Sequence, residues 1–259
     1  ERLLRLLQHD ENLSFEYVII DEAHNLLSNN SRSRLLASSL IILNRRNNNI
    51  VFKFLTPFIH DTENLKINFA EYNLVNYKVN ENIKSENFYY CDLTSDSKLK
   101  LYDQFLDKHY EFSDRIYLSD MDLIKNKSTD KNIIYLNRPV NIESVAKKFS
   151  NKKDDILNID LRRAIKAIAN YVHDDYLLIN CLKKGYVYHH GSVPDNIRLY
   201  IEHLFSVIPE IKYIITSSTL LEGVNIPADT IFLLEKKKGR SNLSHAQFKN
   251  LVGRISRFG

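Results

Sequence analysis

Phe15-Glu16-Tyr17-Val18-Ile19-Ile20-Asp21-Glu22-Ala23-His24 is a short apolar run that ends on two adjacent carboxylates. Its β-branched and aromatic residues, and its length, predict a strand rather than a helix. Five similar runs follow: Ile50–Leu55, Asn132–Leu136, Gly185–His189, Lys212–Thr216 and Thr230–Leu234. They are nearly continuous in apolar character, which predicts strands buried on both faces. Between them lie helical patterns. Leu3, Leu4, Leu6 and Leu7 open the chain; Leu161, Ile165, Ile168 and Ala169 share a face, as do Ile197, Ile201, Leu204 and Phe205. Pro139 and Pro194 stand at helix starts, and Gly185 follows a helix end. Strands alternating with helices give an α/β fold with parallel sheets and helices on their flanks.

Composition narrows the class. Of the 259 residues 44% are apolar and 26% charged, which excludes a disordered chain. The formal net charge of +4 is compatible with a nucleic-acid partner but too small to argue for one. Cys91 and Cys181 fit neither a disulfide framework nor zinc-ligand spacing, and favour a reducing cytoplasm. No apolar run approaches the ~20 residues of a membrane span, so no membrane partner is expected. Glu1 in place of a Met, and the end at Arg257-Phe258-Gly259, read as cut ends of a longer protein. From about residue 80 to 131 the chain is rich in Asn, Lys, Ser and Asp, with one helix expected over Leu99–Phe105. That stretch reads as a linker with an insertion.

The carboxyl end of a parallel strand is where ligands gather in open α/β sheets. An Asp there holds Mg²⁺ through water, and the following Glu orients or deprotonates an attacking water. The plainer reading puts Asp21 and Glu22 at a helix start, beside its positive end. Further along, Thr216, Ser217 and Thr219 precede Gly223. Hydroxyls there suit a phosphate or simply cap a helix. Adjacent His189 and His190 would project to opposite faces of a strand, which argues against a shared metal. Lys236, Lys237, Lys238 and Arg240 form a basic run that reads as a solvated loop.

Taken in order, these patterns resemble the DEAH-box branch of superfamily 2 helicases, nearest the Ski-like and large-helicase-related group. Asp21-Glu22-Ala23-His24 matches the Walker B box. His189-His190-Gly191-Ser192 with Arg198, Glu202 and Phe205 is similar to the group's "HHG…R…E..F" segment. Thr216 through Ala228 is similar to its "TSTLxxGVNxPA" box, and Gly253-Arg254-Ile255-Ser256-Arg257-Phe258-Gly259 to its arginine box. The resemblance implies two RecA-like lobes, with residues 1–85 the later part of the first, 86–131 the linker and 132–259 the second. It implies ATP and Mg²⁺ between lobes and DNA or RNA gripped as a single strand by its phosphates. Glu22, Arg254 and Arg257 would be catalytic, the arginines as fingers on the γ-phosphate. Asp21 would hold Mg²⁺ through water; His24, Gly223 and Asn225 would serve the nucleotide; Thr216, Ser217, Thr219, His190 and Gly191 the strand.

Two departures stand out. The usual Ser-Ala-Thr is replaced by Leu55-Thr56-Pro57-Phe58-Ile59, and the glutamine before the arginine box by Asn250. A phosphate loop, G-x-x-x-x-G-K-[ST], is missing: none of the six glycines is followed by Lys. The chain alone is therefore expected to be inactive on ATP, with the loop and any accessory domains or subunits outside it. Two rival functions remain at this level: a duplex translocase of a restriction or defence assembly, and a non-enzymatic nucleic-acid-binding module with a dead ATP site.

Overall fold

The computed structural model describes residues 1–27, 31–56, 75–77, 86–150, 155–156, 158–221 and 226–253. The chain divides into two compact units, Glu1–Ile83 and Lys84–Gly259.

In the first unit, α1 (Arg2–His9) precedes β1 (Tyr17–Ile20), a 3₁₀ turn (Ala23–Leu27), α2 (Ser31–Arg46) and β2 (Val51–Phe54). β1 and β2 run parallel, Tyr17 opposite Val51 and Ile20 opposite Phe54. Ile20, Ala23 and Leu40 form a small core with Val18, Leu26, Leu36, Phe52 and Phe54 against it. Arg46 ends α2 by donating to the carbonyls of Leu7, Asp10 and Leu13 at 2.6 to 2.9 Å, which anchors the end of α1. The expectation that every strand is buried on both faces fails here. Tyr17, Ile19, Val51 and Leu55 are exposed. Among the described residues the turn and α2 pack on one face of this sheet, and alternate side chains face away from them.

The second unit begins with an antiparallel meander, β3 (Phe88–Cys91), β4 (Lys98–Asp103) and β5 (Lys108–Ile116), followed by α3 (Asp120–Lys127). The helix expected over Leu99–Phe105 is thus a strand. Lys98-Leu99-Lys100-Leu101-Tyr102-Asp103 has period two near its start, Leu99 is buried, and both neighbouring strands pair with it. The Phe88 ring on β3 lies 6.0 Å from that of Phe248.

Next comes a four-stranded parallel sheet: β6 (Asn132–Tyr135), β7 (Tyr186–His189), β8 (Tyr213–Thr216) and β9 (Thr230–Leu233), in spatial order β7-β8-β6-β9. α4 (Pro139–Ser150), α5 (Ile159–Tyr171) and α6 (Leu177–Lys183) connect β6 to β7, and α7 (Asp195–Val207) connects β7 to β8. Every residue of β6, β7 and β8 is buried, as their unbroken apolar character predicts. Phe149, Tyr186 and Tyr213 form an aromatic cluster with centroids 5.0 to 5.5 Å apart. A small hairpin, β10 (Lys237–Lys238) and β11 (Ser241–Asn242), leads to α8 (His245–Val252), whose Ser244 and Gln247 form a capping box. Among the described residues no helix is long and apolar enough to cross a membrane.

Lys131, just before β6, ties the ends of the layers together. Its ammonium donates to the carbonyls of Phe205, Ile208 and Ile211 at 2.5, 2.7 and 2.9 Å and lies over the Phe205 ring. The Phe205 carbonyl is an orphan acceptor at the end of α7, and those of Ile208, which also accepts from the Ile211 amide at 3.2 Å, and Ile211 lie in the turn beyond it. At Gly185, after α6, φ is +76° and a β-carbon would stand 2.5 Å from the Glu210 carbonyl oxygen. Only glycine fits that approach.

Candidate nucleotide and nucleic-acid sites

Each unit gathers its chemistry at the carboxyl end of its parallel strands. In the first, β1 runs into Asp21 and Glu22. The Glu22 amide donates back to Asp21 Oδ1 at 2.8 Å, and Glu22 itself adopts φ 51°, the left-handed region unusual for a residue with a β-carbon. The Leu55 amide donates to the Ile20 carbonyl at 2.8 Å, and the Ala23 amide to the Leu55 carbonyl at 2.9 Å. The two strands therefore continue to pair past their formal ends, and Leu55–Thr56 lies beside the acidic pair. The Glu22 carboxylate lies 3.4 Å from His24 Nε2. The donor set suits Mg²⁺, a hard cation that keeps several waters and needs only one or two protein carboxylates. Among the described residues no group of three or more potential metal ligands gathers.

In the second unit the register sets His189, Thr216, Tyr135 and Leu233 side by side across the sheet. Immediately beyond them lie His190-Gly191, Ser217–Thr219, Asn137 and Glu235, so residues far apart in sequence share one edge. His189 and His190 diverge as strand geometry requires. The His189 ring is fully buried: Nε2 is 3.3 Å from Glu202 Oε1 and 3.5 Å from Thr216 Oγ1, and Nδ1 is 3.2 Å from Thr219 Oγ1. Burial, followed by the nearby Arg198 and His190, pulls its pKa down to about 3, so the ring is neutral. His190 instead stacks on Tyr188 and meets Glu143 at 3.3 Å, with the Ser192 amide donating to its Nδ1.

Thr216 and Ser217 are buried, whereas Thr219 is half-buried and Gly191 exposed. Thr216 donates its hydroxyl to the Ser217 carbonyl at 3.4 Å. Gly191 lies close to Thr219, whose methyl would be 3.8 Å from an added β-carbon. The short 3₁₀ turn Ser218–Leu221 starts here.

The basic run is more ordered than a solvated loop. Asn137 donates to the Gly239 carbonyl at 2.8 Å and accepts from the Gly239 amide at 2.7 Å, and the Tyr135 hydroxyl donates to the Lys237 carbonyl at 3.0 Å. Glu235 in turn accepts from the Asn137 amide and from the Asn141 side chain. Asn137, Glu235, His189 and Glu202 organise this edge, and none was singled out from the sequence as a site residue. The one available signal was position: each flanks a strand end or sits in a family-like box. Gly223, Asn225, Arg254 and Arg257 lie outside the described residues.

No family model matches the chain. Among curated proteins, it is 30% identical over 123 residues to the ATP-dependent DNA helicase Hel308 of Thermoplasma acidophilum, covering 45% of this chain and 18% of that protein. It is 29% identical over 147 residues to the Hel308 helicase of Thermoplasma volcanium, covering 54% and 21%. It is also 31% identical over 86 residues to the helicase POLQ-like protein of Caenorhabditis elegans, covering 33% and 9%. The matches span about a fifth or less of these relatives. This distant, partial likeness supports a relationship to the superfamily 2 helicases.

Proposed function

We propose that the chain is part of the motor core of an ATP-dependent superfamily 2 helicase, of the Ski-like type, that couples ATP hydrolysis to movement along DNA or RNA in the cytoplasm. The observation that carries this reading is the carboxylate pair at the carboxyl end of a parallel strand, with the pairing partner's Leu55–Thr56 beside it. Bound Mg²⁺-ATP would supply the phosphoanhydride to be broken and the metal charge that offsets its oxygens. Asp21 would hold the metal's waters. Glu22, aimed by its left-handed backbone, would orient and take the proton of the attacking water, with His24 holding the carboxylate. Arg254 and Arg257 would meet charge developing on the γ-phosphate. Gly223 and Asn225 would flank the nucleotide, and the edge formed by Gly191 and Thr219, with His190, Thr216 and Ser217 behind it, would bear on the strand.

The test has two parts. The chain as given, lacking a phosphate loop, should show no ATPase above background even with nucleic acid; stimulated turnover would mean the nucleotide site is misplaced. In a protein that supplies the loop, Glu22→Gln should nearly abolish hydrolysis while sparing ATP binding. Loss of binding instead would make Glu22 a structural residue.

A further inference from the structure

The meander of β3, β4 and β5 gathers aromatic rings on one face, and its register fixes which. Tyr89, Leu101 and Tyr110 stand opposite one another across the three strands. Side chains two apart on a strand share a face, so Lys108 and Phe112 lie on the Tyr110 face of β5. The Tyr89 and Phe112 rings meet edge to face with centroids 4.8 Å apart, which places them together. Phe88 belongs to the opposite face, where its ring meets Phe248 of α8, so the Tyr89 face looks away from that helix. Tyr89, Tyr110 and Phe112 are 44%, 44% and 49% exposed. Exposed rings that cluster, unlike single ones, mark a surface that meets a partner. Cations frame the cluster: the Lys127 ammonium lies 5.0 Å from the centre of the Phe112 ring, and Lys108 is exposed beside Tyr110. Among the described residues neither ammonium has a carboxylate within ion-pair reach. The nearby acids are engaged elsewhere. Glu111 and Asp114 pair with Lys98, and Asp103 accepts from the Phe105 and Leu106 amides.

We propose that this face of the meander is a second contact for a single nucleic-acid strand, with bases stacked on Tyr89, Tyr110 and Phe112 and phosphates beside Lys108 and Lys127. A fitting partner is flat and apolar where it meets the rings and anionic next to them, and a single strand is both. An apolar peptide would leave the two cations unmatched. The inference rests on reading the chain as part of a motor that handles a strand. Every base has a flat face, so stacking here is indifferent to sequence and serves DNA and RNA alike.

The test is fluorescence anisotropy of the 259-residue chain with a labelled oligothymidine of about 15 nucleotides, and with a strand of equal length carrying abasic sites in place of its central bases. The thymine strand should bind tighter. Tyr89→Ala and Phe112→Ala should each weaken it about fivefold and leave the abasic strand unchanged. Tyr89→Phe and Phe112→Tyr, which keep a ring, should bind as wild type does. Changing Lys108 and Lys127 together to Gln should lower the slope of log affinity against log salt by about 1.4, the release of counterions at two phosphates of a single strand. Equal affinity for the two strands overturns the inference. So do alanine variants that bind like wild type or lose both strands alike, and so does an unchanged salt slope. Each of these leaves strand binding at the parallel sheet's edge standing. A chain that binds neither strand overturns both.

Discussion

Replacing Glu22 with glycine removes a carboxylate and a strained backbone in one step. At φ 51° a residue with a β-carbon carries roughly 1–2 kcal/mol of steric cost, and glycine carries none. Against this, glycine has more freedom in the unfolded chain, which returns about 0.5–1 kcal/mol. The contact with His24 also goes, but the Glu22 side chain is 43% exposed, so that pair contributes at most a few tenths, about 0.3 kcal/mol. The terms nearly cancel, and Glu22→Gly should unfold within about 0.5 kcal/mol of wild type while abolishing turnover wherever a phosphate loop is supplied. Glu22→Asn should behave similarly, because Asn tolerates the left-handed region. Glu22→Val is the contrast. Its branched β-carbon raises the strain, and it should fall about 1.5 kcal/mol or more below the glycine variant. Urea denaturation of the three variants, compared at equal slope, reads these differences directly. If valine is as stable as glycine, Glu22 is not held left-handed, and the account of how its carboxylate is aimed is wrong.

Lys131→Met keeps the apolar stem over Phe205 but takes the ammonium donor from three carbonyls, of which that of Ile208 keeps the Ile211 amide, and should cost on the order of 2 kcal/mol at neutral pH in thermal or urea unfolding. Burial pulls the Lys131 pKa down to about 8 from 10.5, so between those values the unfolded chain holds the extra proton and stability rises with pH; wild type should gain on the Met variant from pH 8 to 10.5, and a constant gap would refute the shift. Gly185→Ala combines a left-handed backbone with a 2.5 Å approach to the Glu210 carbonyl and should destabilise by about 3 kcal/mol, seen as a lowered unfolding midpoint at unchanged slope. In a protein with an intact phosphate loop, Arg257→Ala should reduce ATP turnover on the order of 10³-fold with little change in ATP or strand affinity, and Arg257→Lys should rescue little. Collapse of strand affinity with intact kcat would instead make Arg257 a nucleic-acid contact.

All six strand runs read from the sequence are strands, because β-branched and aromatic residues in short unbroken runs have few alternatives. At Leu99–Phe105 the structure has a strand where the sequence reading expects a helix. Leu99 and Leu101 are two apart, and the pairing of β4 with both neighbours settles the period. The exposed face of β1 and β2 was illegible for a different reason: an apolar residue looks the same whether a layer covers it or not. At the second edge, alternation along a strand shows that His189 and His190 diverge but not what each meets. Glu202 and Thr219 reach His189 from α7 and from the turn after β8, a meeting that only the crossover brings about. Asn137 bonds to the backbone of Gly239, 102 positions away, and Glu235 to the Asn137 amide and the Asn141 side chain, and pairing of that kind leaves no periodic trace in the sequence.

The tyrosines of the second sheet have a spectroscopic consequence. The chain contains 15 tyrosines and no tryptophan, so its near-ultraviolet absorption and its emission belong to tyrosine. Burial pushes the Tyr135 phenol up to about 12, and those of Tyr186 and Tyr188 further still. In an alkaline titration followed in the ultraviolet, ionisation moves a phenol's band to longer wavelength, and the Tyr135, Tyr186 and Tyr188 phenols make that change late. Unfolding that exposes β6 and β7 to water should bring that late fraction forward to lower pH, so the second unit carries its own unfolding signal without an added label.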